Sequence, residues 1–182
     1  SSKYVKTVGF QWAGKKAIKG IHRRYPEIKL WQTEQECGDG KNNLDYAVYA
    51  WGLLNHYLNS GASAYMYWNT SLVDGGISRW GWAQNSLVVV NEKDKTFKYT
   101  LEYYIIKHVS HFVMPGAKKL TTTRTVLNDD TDVKTLAFLN PDGKVIIVTG
   151  NEAQFEQKVQ FEVNGQVYDA TLPPYAFNTI VV

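Results

Sequence analysis

The chain has a single cysteine, Cys37, five prolines and no hydrophobic run of membrane-spanning length. One cysteine excludes a disulfide framework and a thiolate zinc site. The missing run of about eighteen apolar residues excludes a spanning helix. The first residues, Ser-Ser-Lys, are followed by no apolar stretch and do not read as a signal peptide. Charge of one sign is also scarce in blocks. Twenty Lys and Arg against seventeen Asp and Glu leave +3, and the basic residues cluster only as pairs such as Lys15-Lys16 and Arg23-Arg24. That is not the footprint of a nucleic-acid binder, so no nucleic-acid partner is expected. With 14 Gly, the sequence is neither collagenous nor a flexible linker. What it has in quantity is aromatic side chains: six Trp, twelve Tyr and seven Phe in 182 residues. That load excludes disorder and, in loops, suggests flat surfaces for a ligand.

The pattern changes character near residue 120. Before it, short β-branched and aromatic runs alternate with helical periodicity: strands over 4–12, 28–33 and 62–68, helices over 17–25, 44–59 and 100–113, and a hairpin over 86–99 turning at 92–95. Asn43 is placed to cap the second helix and Gly61 to end it. The third helix shows Leu101, Tyr104, Ile105, His108 and Phe112 on one face. Strand–helix alternation implies parallel strands with right-handed crossovers, whose C-terminal loops carry the site. After residue 120 six strands are expected, at 120–127, 134–140, 144–149, 158–163, 166–171 and 177–182. Pro141-Asp142-Gly143 and Asn164-Gly165 mark hairpin turns, and the spacing suggests an antiparallel sandwich. The expected domains are 1–116, α/β, and 117–182, all-β.

The stretch Leu30-Trp31-Gln32-Thr33-Glu34-Gln35-Glu36-Cys37-Gly38 puts carboxylates at a strand end just before a flexible loop. By strict alternation Leu30, Gln32 and Glu34 share the inward face, while Trp31 and Thr33 face the helices. Glu34 and Glu36 could be solvated loop acids, but the following loops hold Trp68-Asn69 and Trp80-Gly81-Trp82-Ala83-Gln84-Asn85. Indole faces stack on the C–H faces of a pyranose and amides pair with its hydroxyls, so a carboxylate among them suggests a sugar site. Trp31 and Trp51 are expected to serve packing instead. Other patterns are weaker. His108 and His111 stand at i, i+3 without a third metal ligand, so no metal is expected. Gly38-Asp39-Gly40-Lys41 lacks phosphate-loop spacing. Cys37 has no thiol-hydrolase context. Asn69-Thr70-Ser71 is a formal glycosylation sequon.

Leu30 to Gly38, Trp68-Asn69-Thr70-Ser71-Leu72, Trp82-Ala83-Gln84-Asn85 and Leu136-Ala137-Phe138-Leu139-Asn140-Pro141-Asp142-Gly143 keep the order of motifs of glycoside hydrolase family 30. The sequence resembles the C-terminal half of that family of retaining β-glycosidases, which includes glucosylceramidase. The resemblance implies strands six to eight of a (β/α)₈ TIM barrel followed by the family's β-sandwich. It implies that Glu34, which follows Thr33 as the family's nucleophile follows Ser or Thr, is the catalytic nucleophile. Gln11-Trp12 would end the sixth strand, Trp68-Asn69 the eighth, and Asn85 would match an amide reaching toward bound sugar. With Trp82 these are the implied substrate contacts. The family has His or Tyr where Gln11 and Ala13 stand here. No Asn-Glu-Pro-like acid/base motif occurs, since Asn91-Glu92 and Asn151-Glu152 lack the Pro. A missing barrel half, in the same or another chain, is therefore the expected partner. No cofactor is implied, the substrate is a β-glycoside, and a secreted or periplasmic setting is expected. The other class of function is a non-catalytic carbohydrate-binding fragment, which activity of the isolated chain would exclude.

Overall fold

The computed structural model describes residues 3–125 and 132–182, so Val126 and Leu127 of the expected strand at 120–127 lie outside the described residues. Two compact units are present, Ser1–Tyr104 and Ile105–Val182, with the boundary inside a helix.

In the first unit, β1 (Thr7–Gln11), β2 (Lys29–Glu34) and β3 (Ala62–Tyr65) form a parallel sheet in that order. A 3₁₀ turn (Trp12–Lys16) and α1 (Ile18–Arg24) cross from β1 to β2, and α2 (Leu44–Asn59) crosses from β2 to β3. Helix α2 has the expected limits, and the physics is local. The Asn43 side chain accepts from the Tyr46 amide at 3.1 Å, and Gly61 lies in the left-handed region at φ +98. Ala47, Trp51 and Leu54 are buried, and so are Ala50, Leu53, Asn55 and Tyr57. The strand at 62–68 stops at Tyr65. The loop expected over 69–85 contains β4 (Ser71–Val73), which pairs parallel with β5 (Val88–Asn91), itself antiparallel to β6 (Thr96–Tyr99). The expected hairpin is thus two strands of a three-stranded sheet.

The alternation assigned to β2 is corrected by the structure. Leu30 packs with Phe10, Ile18, Tyr57 and Ala62, so its side of the sheet is the helix-covered one. Gly9, opposite Trp31, and Ala64, on its other side, place Trp31 on the opposite face, where it is 37% exposed rather than packed against helices. The register then shifts: Phe10 opposes Gln32, but Gln11 opposes Glu34. The extra residue, Thr33, is a β-bulge, and it returns Glu34 to the face shared by Gln11, Gly9 and Trp31. Glu34 is therefore not on the face of Leu30 and Gln32.

Helix α3 (Leu101–Ser110) also differs from its expected face. Leu101 and Tyr104 are exposed, while Glu102 and Ile105 are buried. In the second unit, β7 (Lys118–Leu120), β8 (Val133–Leu139), β9 (Val145–Asn151) and β12 (Phe177–Val181) make an antiparallel sheet in the order β12-β9-β8-β7, and β10 (Gln157–Val163) pairs with β11 (Gln166–Leu172) in a hairpin. Every residue of β9 is buried, as a central strand covered on both faces requires. Asn151 ties the two sheets. Its amide donates to the carbonyls of Phe155, Leu172 and Pro173 at 2.8–3.1 Å, and its carbonyl accepts from Gln157. Among the described residues no helix is long and apolar enough to cross a membrane.

Candidate active site

Because β1, β2 and β3 are parallel, their C-terminal ends share one edge, where Gln11, Glu34 and the segment leading to Trp68-Asn69 emerge. Trp12 follows β1 at φ +40, a backbone conformation that costs a non-glycine residue of order 1–2 kcal/mol. The strained turn aims the indole, whose Nε1 donates to Glu34 Oε1 at 2.6 Å. Trp12 is 45% exposed and Gln11 is exposed. Among the described residues no cationic side chain forms a salt bridge with Glu34.

Glu36, two residues on, is differently held. Its carboxylate pairs with Lys15 and accepts from the Tyr49 hydroxyl at 2.6 Å, while its backbone carbonyl accepts from Tyr46. Burial by itself would push this carboxyl up, but the Lys15 and Tyr49 hydrogen bonds outweigh it and hold Glu36 below the ordinary value. Lys15 is pushed up by the same hydrogen bond. Glu36 is thus an internally neutralised anion, whereas Glu34, among the described residues, is met only by the Trp12 indole.

The edge of the sheet continues through backbone bonds. Gln35 N donates to the Met66 carbonyl at 3.2 Å, and Asn85 N donates to the Cys37 carbonyl at 2.7 Å, so the segments after β2, after β3 and before β5 run together. Gly38 makes this approach possible. Its φ is +72, and a Cβ there would come within 2.6 Å of the Asn85 side chain.

Asn85, expected as an amide reaching toward sugar, lies inside the protein. It is fully buried, its amide donates to Glu102 Oε1 at 2.8 Å, and its carbonyl accepts from Gly40 N at 2.7 Å. Both ends of the amide have partners inside the protein, so Asn85 holds the loop. Asn42 donates to the same Glu102 oxygen at 3.2 Å. Burial pushes the Glu102 carboxyl up despite these hydrogen bonds. An acid whose folded value is raised contributes stability that is present below its unfolded value and lost as pH rises through the folded one. Glu102→Gln keeps an acceptor for Asn85 and Asn42 and removes the charge. The variant is therefore expected to melt higher than the parent at neutral pH and to match it below about pH 4, where both are uncharged. Equal destabilisation at both pH values would overturn this account.

Trp68 is 38% exposed and Trp82 52%. Asn69 is partly buried, and its side-chain amide donates to the backbone carbonyl of Asn85 at 3.1 Å. Gln84, absent from the expected site, lies between the two indoles. With its amide oriented by its hydrogen bonds, Oε1 accepts from Trp82 Nε1 at 2.9 Å and from Trp68 Nε1 at 3.2 Å. The opposite orientation offers only a 3.5 Å contact to Asn69, so the two-donor arrangement is preferred. The Trp80 ring stacks on Trp82 at 5.5 Å and 18°. The paired Trp around Gly81 hinted at such a platform, but the amides of this loop, Gln84 among them, are expected from the sequence to pair with sugar hydroxyls and not with indoles. His108 bonds Thr179 Oγ1 at 2.8 Å. Of the two Asn-Glu pairs, Glu152 forms a salt bridge with Lys134, and Glu92 is exposed in the turn between β5 and β6.

Residues 116–180 match the glycosyl hydrolase family 30 beta sandwich domain. Relatives extend the likeness upstream. The lysosomal acid glucosylceramidase of Mus musculus is 26% identical over 168 residues, covering 84% of this chain and 32% of that protein. The crystal structure of SrfJ from Salmonella typhimurium superimposes with a TM-score of 0.86 at 21% identity, over 99% of this chain and 41% of that one. An endo-β1,6-glucanase does so with 0.83 at 23% identity, over 98% and 41%. The chain resembles glycoside hydrolase family 30 along its length, and it spans about a third of the length of the curated relative.

Proposed function

We propose that the chain is the nucleophile-bearing part of a retaining β-glycosidase. The observation that carries this reading is the contrast between two neighbouring carboxylates at one sheet edge: Glu36 is neutralised by Lys15 and Tyr49, while Glu34 is re-aimed by a bulge and touched by one indole N–H. In this reading β1, β2 and β3 are strands six to eight of a (β/α)₈ barrel and the domains divide at 116/117, a division supported by the sandwich match over residues 116–180. Glu34 attacks the anomeric carbon as the leaving oxygen takes a proton from a second carboxylic acid about 5–5.5 Å away; that group then deprotonates the water that releases the sugar. The missing barrel half supplies the acid. Gln11, Trp12, Trp68, Asn69 and Trp82 form the sugar contacts. A secreted or periplasmic setting belongs to the same proposal.

The test is covalent. A 2-fluoro-β-glucoside with a good leaving group should label the full-length protein at Glu34, located by peptide mapping. Label on Glu36, or turnover with no label, would sink the assignment. A second reading, a carbohydrate-binding fragment without catalysis, is favoured by the exposed indoles and would give binding without label. In either case Trp82→Ala should weaken binding of a glycoside inhibitor by about 1–2 kcal/mol, read by calorimetry, through loss of one aromatic contact.

A further inference from the structure

We infer that Gln84 is the positioning residue of the indole platform: a single amide carbonyl that accepts both ring N–H groups and sets Trp68 and Trp82 edge to edge. What the platform binds rests on the glycosidase reading above; the clamp itself does not. The two rings come from separate segments, one after β3 and one from the Ile77–Ala83 hairpin, so nothing in the local chain fixes their mutual angle. Gln84 is 6% exposed and anchored by its own backbone, whose N–H donates to the Gly76 carbonyl at 2.9 Å. Its neighbour Asn85 is locked between Gly40 and Glu102. A buried, doubly anchored residue thus presents one acceptor to two half-exposed donors.

The hairpin completes the arrangement. Ser78 N donates to the Trp82 carbonyl at 2.8 Å, Gly81 turns the chain at φ +91, and Ile77 bridges Ala83. Trp82 is therefore held at its edge by Gln84 and on one face by Trp80, which leaves the other face open. The clamp also has a chemical effect. Indole N–H groups spent on Gln84 cannot compete for sugar hydroxyls, so each ring offers its π face. The ligand class that fits is a pyranose presenting a C–H face, with its hydroxyls directed elsewhere.

The test uses Gln84→Leu, which keeps the volume and removes the acceptor, and Gln84→Glu, which keeps an acceptor; Gln84→Met replaces the Leu variant if that one does not fold. In the full-length protein, proton–nitrogen correlation spectra of the indole N–H groups are assigned with Trp68→Phe and Trp82→Phe. Gln84→Leu should shift both resonances and raise KM for p-nitrophenyl β-glucoside and β-xyloside by about tenfold, with kcat held within about twofold. Gln84→Glu should restore the resonances and most of the affinity. Unmoved resonances in Gln84→Leu would overturn the clamp. Shifted resonances with unchanged KM would separate the clamp from the sugar platform and overturn its assigned role. A parent protein that binds neither glycoside would reject the glycosidase reading, while the spectra would still decide the clamp.

Discussion

Glu34→Gln in the full-length protein is expected to lower kcat by roughly 10⁴–10⁶-fold, the scale of losing a covalent nucleophile. The fold should be unchanged, because Gln can still accept from Trp12 Nε1 and no salt bridge is broken among the described residues. Glu36→Gln gives the internal control. It removes an anion that Lys15 and Tyr49 already neutralise, so it should perturb the Lys15 side chain and cost activity only indirectly, by far less. Adding azide to Glu34→Gln with an activated aryl glycoside should recover part of the rate, since a small anion can enter the space of the lost nucleophile. Loss of activity in Glu36→Gln equal to that in Glu34→Gln would refute the division of roles.

Trp51→Ala is expected to produce the largest loss of stability, about 3–5 kcal/mol, because the ring is completely buried on α2 and its removal leaves a cavity the helix cannot close. Urea unfolding monitored by circular dichroism checks this. Trp82→Ala, at 52% exposure, should change the midpoint little while weakening sugar binding. Calorimetry and unfolding curves showing the reverse would mean that core and platform had been exchanged.

Periodicity and capping made much of this legible. Helix α2 could be read to its limits because Asn43 and Gly61 supply local terminators, and the 86–99 hairpin and the sandwich turns carry their own turn chemistry. Strand β4 was hidden, since three residues paired in parallel with β5 leave no run long enough to see. The face of β2 was misassigned because alternation presumes an unbroken pleat, and a bulge has no signature in residue type. Helix α3 shows an apolar face in its sequence, yet beside Ile105 it buries Glu102, whose carboxyl the amides of Asn42 and Asn85 hydrogen-bond. Gln84 escaped for the same reason: its meaning lies in two ring donors from other segments.

The bulge at Thr33 also bears on how this strand could be redesigned. Deleting that one residue would give β2 regular pairing with β1, the kind of tidying that consensus or stability-driven design rewards. Glu34 would then follow Gln32 directly and stand opposite Gln11 on its present face, whereas regularising the strand with Thr33 kept would turn the carboxylate by half a pleat, into the layer of α1 and α2. Two strands with the same Thr-Glu pair thus hold the carboxylate on opposite faces according to whether the bulge is kept, a difference that residue identity does not carry.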